Sequence, residues 1–158
     1  MASPLGFTES GRLYWRDVLE PALLDAGVGV LDPWDADSAG WFAGAEALDE
    51  PDRTARLIEV NERVGRRNAD LLDRCDGVLA VLDGVDVDSG TAAEIGYAAA
   101  RGRPVVGLRT DVRPAGDNTA TPVNLQVAYF IRSTGGRVCT DVGDAVRLVR
   151  ELTATPRS

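Results

Sequence analysis

The sequence predicts an α/β fold built on a mainly parallel sheet. Short apolar runs, such as Val78-Leu79-Ala80-Val81-Leu82 and Pro104-Val105-Val106-Gly107-Leu108, read as strands buried on both faces. Longer segments with a helical spacing of apolar residues fall between them. This alternation makes each strand-to-strand connection a right-handed βαβ crossover.

The elements follow in order. Residues 1–6 form a turn. The spacing of Tyr14, Val18, Leu19, Ala22 and Leu23 predicts a helix over 9–26, with Pro21 kinking or dividing it. Gly27 ends that helix, and 28–31 reads as a short strand. A long loop then runs over 32–52, carrying Trp34, Trp41 and Phe42, which either cover a ligand or pack beneath the loop. The stripe Leu57, Val60, Val64, Leu71, Leu72, Cys75 predicts a helix over 53–74. Asn68 falls within that stripe, either satisfied inside the fold or turned to a ligand. Strand 78–82, helix 92–101, strand 104–108 and a polar loop over 109–122 come next. A helix over 124–133, a short strand over 137–140, a helix over 141–152 and a frayed tail from 153 complete the chain.

Composition narrows the chemistry. A chain of 158 residues suits one domain with a sizeable core. No run approaches the ~20 apolar residues of a membrane span. The start lacks a charged segment followed by an apolar one, so no signal peptide is expected and a cytoplasmic location is. The net charge of −8 argues against binding a nucleic-acid polymer. Cys75 and Cys139 read as free thiols beside apolar runs. There is no histidine, which excludes Ser-His-Asp and Cys-His catalysis and His-based metal sites. Carboxylates are the abundant candidates, and they point toward glycosyl-type chemistry.

Those carboxylates concentrate after strand 78–82, where Asp83, Asp86 and Asp88 precede Glu94. Ligands of open α/β sheets bind beyond the carboxyl ends of strands, so chemistry is sought here first. A plainer reading is a capping box, with Thr91 as N-cap and Glu94 reaching back to its amide. The loop lacks the ligand spacing of a calcium site, and neither GxGxxG nor GxxxxGK[ST] occurs in the chain.

The run Asp88-Ser89-Gly90-Thr91-Ala92-Ala93-Glu94-Ile95-Gly96-Tyr97-Ala98 resembles the D-x-G-T-x-x-E-x-G-x-A signature of the nucleoside 2-deoxyribosyltransferase family. Cys75-Asp76-Gly77 with the strand after it, Gly102-Arg103-Pro104 with the next strand, Pro122-Val123-Asn124-Leu125 and Ser3-Pro4-Leu5-Gly6-Phe7 are similar to further segments of that family. The resemblance implies a single flavodoxin/Rossmann-like three-layer domain over 1–158. It also implies a covalent mechanism in which Glu94 attacks C1′ of a 2′-deoxynucleoside, the helix N-terminus keeps Glu94 ionised, Asp88 lies against the sugar, and a free base takes the deoxyribosyl group with retention. Ser3, Phe7, Trp34, Asn68 and Gly90 are the implied substrate contacts. Asn124 is implied to complete a neighbour's pocket, in a homodimer or larger homo-oligomer, unless it only caps a helix. Deoxynucleosides and free nucleobases are the expected partners, with no cofactor, metal or membrane.

Two features depart from the family pattern. Members have a strand before the Ser3–Phe7 turn, so the first strand is expected to be absent or truncated, with the true start upstream. Some members carry a base-contacting aspartate eight residues before the position of Asp76, where this chain has Asn68, with Asp70 nearby. Hydrolysis of a nucleoside or its 5′-monophosphate, with Ser3, Gly6, Arg109 and Arg113 near a phosphate, is the alternative reading. Non-catalytic nucleotide binding is a second.

Overall fold

The structure is a computed structural model that describes residues 1–34 and 40–154, residue 46 through its backbone alone. Residues 35–39 of the predicted loop and 155–158 of the predicted tail lie outside the described residues.

Three strands, β1 (Val78–Val81), β2 (Val105–Leu108) and β3 (Val138–Cys139), form a parallel sheet in the order β1-β2-β3. Val78 lies opposite Val105, and Leu108 opposite both Val81 and Cys139. Every residue of β1 and β2 is buried, because helices cover both faces. Val78, Ala80 and Leu82 point into a core with residues of α4 (Ser89–Ala100) and α5 (Leu125–Ser133), against which Leu72 of α3 (Asp52–Arg74) packs. Leu79 and Val81 point into a second core made by α1 (Glu9–Tyr14), α2 (Glu20–Asp25), the turn between them, and α6 (Val142–Ala154). This is the three-layer α/β architecture expected from the sequence.

Three predicted elements differ. The 9–26 segment is one helical run whose middle, Trp15–Leu19, is a π turn. Pro21 has no amide hydrogen, and the run widens just before it, with the Glu20 N–H donating to the Trp15 carbonyl. No strand forms over 28–31. A strand needs a partner ladder, and at this side of β1 the described residues form a single bridge, Ala2 with Ala80. Ala2 donates to the Leu79 carbonyl at 2.9 Å and accepts from the Val81 N–H at 3.0 Å. Val28 and Val30 still pack against the second core. Finally, α6 runs on through Thr153 and Ala154, which the sequence places in the tail.

The carboxyl ends of β1 and β2 are tied together by two buried or half-buried groups. Asp83 accepts from the Thr110 and Asp111 amides at 2.6 and 2.9 Å. Arg109 is 5% exposed, and its guanidinium donates to the carbonyls of Leu82, Gly84 and Arg113. Among the described residues no helix is long and apolar enough to cross a membrane.

Arg109→Leu leaves three carbonyls without their donor. It should lower stability by about 2–4 kcal/mol, read as a fall in the urea midpoint with an unchanged slope.

Candidate active site

The sequence places Asp88 immediately after the β1 loop, and its side chain begins α4. Asp88 Oδ2 accepts from the Thr91 amide at 2.9 Å and from the Thr91 hydroxyl at 3.1 Å. Asp88, not Thr91, is therefore the N-cap, and the capping box predicted for Thr91 and Glu94 does not form. Asp88 takes the amide of Thr91 itself, so the helix begins three residues earlier and Thr91 is buried in its first turn.

This shift moves Glu94 into the second turn, free of any capping duty. Among the described residues no hydrogen bond reaches its carboxylate. Burial pushes its pKa above the ordinary glutamate value, the Met1 amino group draws it down, and Asp88 pushes it up again. Burial is thus the largest influence on Glu94, ahead of either charge. The helix dipole fades beyond the first turn, so its pull on a second-turn carboxylate is weak.

Glu94 and Asp88 line one cavity of about 690 Å³ at the carboxyl end of β1. Ser3, Phe7, Trp34, Asn68 and Gly90 line it as well. Six of these seven come from three places: the 3–7 turn, helix α3 and the start of α4. Ser3 is 7% exposed, and its hydroxyl accepts from the Leu5 amide at 3.3 Å. Trp34 joins that turn from the long loop, with its indole N–H 3.4 Å from the Ser3 carbonyl. Phe7 and Trp34 meet edge to face, with ring centroids 4.5 Å apart and planes at 80°. A Cβ on Gly6 would lie 2.1 Å from the Trp34 ring, so only glycine lets the indole lie on this turn. Asn68 is half-buried, and no hydrogen bond to a described residue occupies its side chain.

The other aromatics of the long loop separate. Phe42 lines the cavity, whereas Trp41 stacks beneath the Arg63 guanidinium at 3.9 Å from the ring centroid. Asn124 does not line the cavity of its own chain. It caps α5, accepting from the Gln126 and Val127 amides at 3.0 and 3.3 Å. Arg12 and Val64 line the cavity and were missed by the sequence reading. Arg12 donates to the Gly6 carbonyl at 2.9 Å, and a single arginine on an amphipathic helix gives no signal of that position. Arg109 and Arg113 do not line the cavity. The first holds backbone carbonyls, and the second pairs with Asp111.

This carboxylate pair sits within residues 1–126, the stretch that the sequence model of the nucleoside 2-deoxyribosyltransferase family matches. The chain belongs to that family. The family is one of transferases acting in nucleoside metabolism. Among relatives, uncharacterized protein C191.05c of Schizosaccharomyces pombe is 37% identical over 101 residues, covering 61% of this chain and 43% of that protein. The chain thus matches less than half the length of that curated relative. A crystal structure of a conserved protein from Enterococcus faecalis V583 superposes with a TM-score of 0.58 at 21% identity, covering 96% of this chain and 98% of the other. That likeness establishes the shared three-layer fold.

Asp88→Ala should destabilise the protein by about 1 kcal/mol through loss of the cap, while Asp88→Asn should leave the melting temperature near that of the parent. Glu94→Gln should melt higher than the parent at neutral pH. A raised pKa means the folded state prefers the neutral carboxyl, so this stabilisation is complete in acid and is lost as pH rises through the folded value. The melting difference should therefore vanish in acid, which parallel thermal scans across pH would reveal.

Proposed function

We propose that the protein transfers 2-deoxyribose between nucleobases through a covalent intermediate on Glu94. The observation that supports this most is Glu94 itself, a partly buried carboxylate that no described residue hydrogen-bonds, sharing a 690 Å³ cavity with Asp88 and an aromatic pair. Unpaired, partly desolvated carboxylates are costly to keep, and they concentrate where chemistry needs them.

In this reading the deoxynucleoside enters with its base beside Phe7, Trp34 and Asn68 and its sugar over Asp88 and Gly90. A Glu94 oxygen bonds to C1′ as the N-glycosidic bond breaks, and the bond's electron pair leaves on the base nitrogen. The departing base takes up a proton from water. The second base gives up a proton as its nitrogen attacks C1′, and the Glu94 ester bond breaks to restore the carboxylate. Two displacements on one centre give retention. Asp88 uses Oδ2 for the cap, which leaves Oδ1 to orient the sugar hydroxyls.

The charge of the cavity favours a neutral nucleoside over a 5′-monophosphate. Among the described residues that line it, two carboxylates, Asp88 and Glu94, face one guanidinium, Arg12. Asn124 keeps its side-chain NH₂ free of the cap, and Leu125 and Tyr129 beside it are 52% and 57% exposed. This supports a homo-oligomer in which Asn124 reaches a neighbour's pocket.

Purified protein incubated with a 2′-deoxynucleoside and a different free base should yield the exchanged deoxynucleoside by chromatography. Glu94→Gln should reduce the rate at least about 10³-fold, as expected for loss of a nucleophile. Free base and deoxyribose without exchange would make the enzyme a hydrolase. Silence in both proteins would leave nucleotide binding as the function. The acid limb of the rate profile should fall with a midpoint above the ordinary glutamate value, because the nucleophile must be ionised.

A further inference from the structure

The loop that leads into α3 brings two aromatic rings to the cavity, Trp34 and Phe42. In each case the residue just before the ring is held by an arginine of α3. The Arg67 guanidinium donates to the Pro33 carbonyl at 3.0 Å. The Arg63 guanidinium lies over the Trp41 ring, 3.9 Å from its centroid, and that of Arg67 lies over the same ring at 5.7 Å. Arg63 and Arg67 are four residues apart, so they share one ridge of the helix. The next ridge carries Val64 and Asn68, which line the cavity. Loop and helix thus follow the same order, a holding residue and then a cavity residue, twice over. Glu59, four residues before Arg63, pairs with Arg56 at 2.9 Å. No hydrogen bond or ion pair to a described residue competes with the Trp41 ring for the Arg63 guanidinium.

We propose that Arg63 and Arg67 are positioning residues for the aromatic wall of the site. By holding Trp41 and Pro33 against α3 they set Phe42 and Trp34, the next residues in the chain, at the cavity, and so govern how tightly a flat base is held. Phe42 is 44% exposed, so its own burial fixes it weakly, whereas Trp41 beside it is half-buried and stacked. A planar guanidinium covers an indole face in a way that a compact ammonium does not reproduce. Arg67 adds a hydrogen bond to the other holding point, so one side chain serves both. In the proposed reaction this wall meets the base and not C1′. Its grip is then equal in the ground state and the transition state, and a change in it appears in KM rather than kcat.

The effect on base binding rests on the proposed function, but the clamp itself does not, and its test begins without ligand. The chain has three phenylalanines, Phe7, Phe42 and Phe130, so protein labelled with 4-fluorophenylalanine gives three fluorine NMR signals, with Phe42 assigned by Phe42→Leu. Arg63→Ala should move the Phe42 signal toward that of the free amino acid. It should leave Phe130, which packs on the first core, in place as the sign of an intact fold. Trp41→Leu should do the same, and Arg63→Lys should restore part of the parent position. Arg66→Ala, which removes an exposed guanidinium paired with Glu62 on the same helix, should move none of the three. An unmoved Phe42 signal in Arg63→Ala and Trp41→Leu would overturn the clamp. In base exchange, Arg63→Ala should raise KM for the 2′-deoxynucleoside about two- to fivefold with kcat unchanged, as expected for one exposed cation–π contact. A fall in kcat at constant KM would overturn the role in holding the base. No exchange in the parent would reject the proposed function, and the fluorine spectra would then decide the clamp by themselves.

Discussion

Everything in the site depends on how α4 is anchored to the end of β1. One carboxylate, Asp88, accepts from the Thr91 amide and hydroxyl in the first turn and so marks where the helix starts. That start sets the phase of every residue after it. Glu94 lands in the second turn on the cavity side, while Ile95 and Ala98 turn into the core. The same residue therefore supports the helix through Oδ2 and lines the cavity. The clamp of Asp83 and Arg109 across the ends of β1 and β2 holds the loop that leads to it.

The opposing wall is built from pieces that have little structure of their own. The 3–7 turn is held by Arg12 on the Gly6 carbonyl and by Trp34 on the Ser3 carbonyl. Pro33, beside Trp34, is tied to α3 through the Arg67 guanidinium at 3.0 Å. Phe7, at 69% exposure, and Trp34, at 40%, leave apolar surface facing the cavity. A flat, aromatic ligand would bury that surface, and a nucleobase has the required shape. The carboxylates on α4 thus face an aromatic wall, against which a base would stack in the proposed reaction.

Much of this was legible in the sequence, and the misses have physical causes. Strands β1 and β2 read clearly because burial on both faces demands unbroken apolar runs. The run over 28–31 looked the same, but local pattern does not reveal whether a partner strand is available. The Thr91 to Glu94 spacing matches a capping box, yet Asp88 starts the helix three residues earlier by accepting from the Thr91 amide. Phe7 stands out through the family resemblance, Asn68 through its place in an apolar stripe and Trp34 as a loop aromatic, and all three line the cavity. Asn124 and Arg12 show the limit. A cap and a cavity-lining arginine look alike in a sequence, and only the fold shows which surface each one meets.

Glu94 as a covalent nucleophile is the central claim. The most direct measurement is mass spectrometry of the protein quenched during turnover of a 2′-deoxynucleoside, followed by mapping of the labelled peptide. The account predicts a deoxyribosyl adduct on Glu94 that disappears when a free base is added. A protein that turns over substrate with no adduct, or with the adduct on another residue, would contradict it.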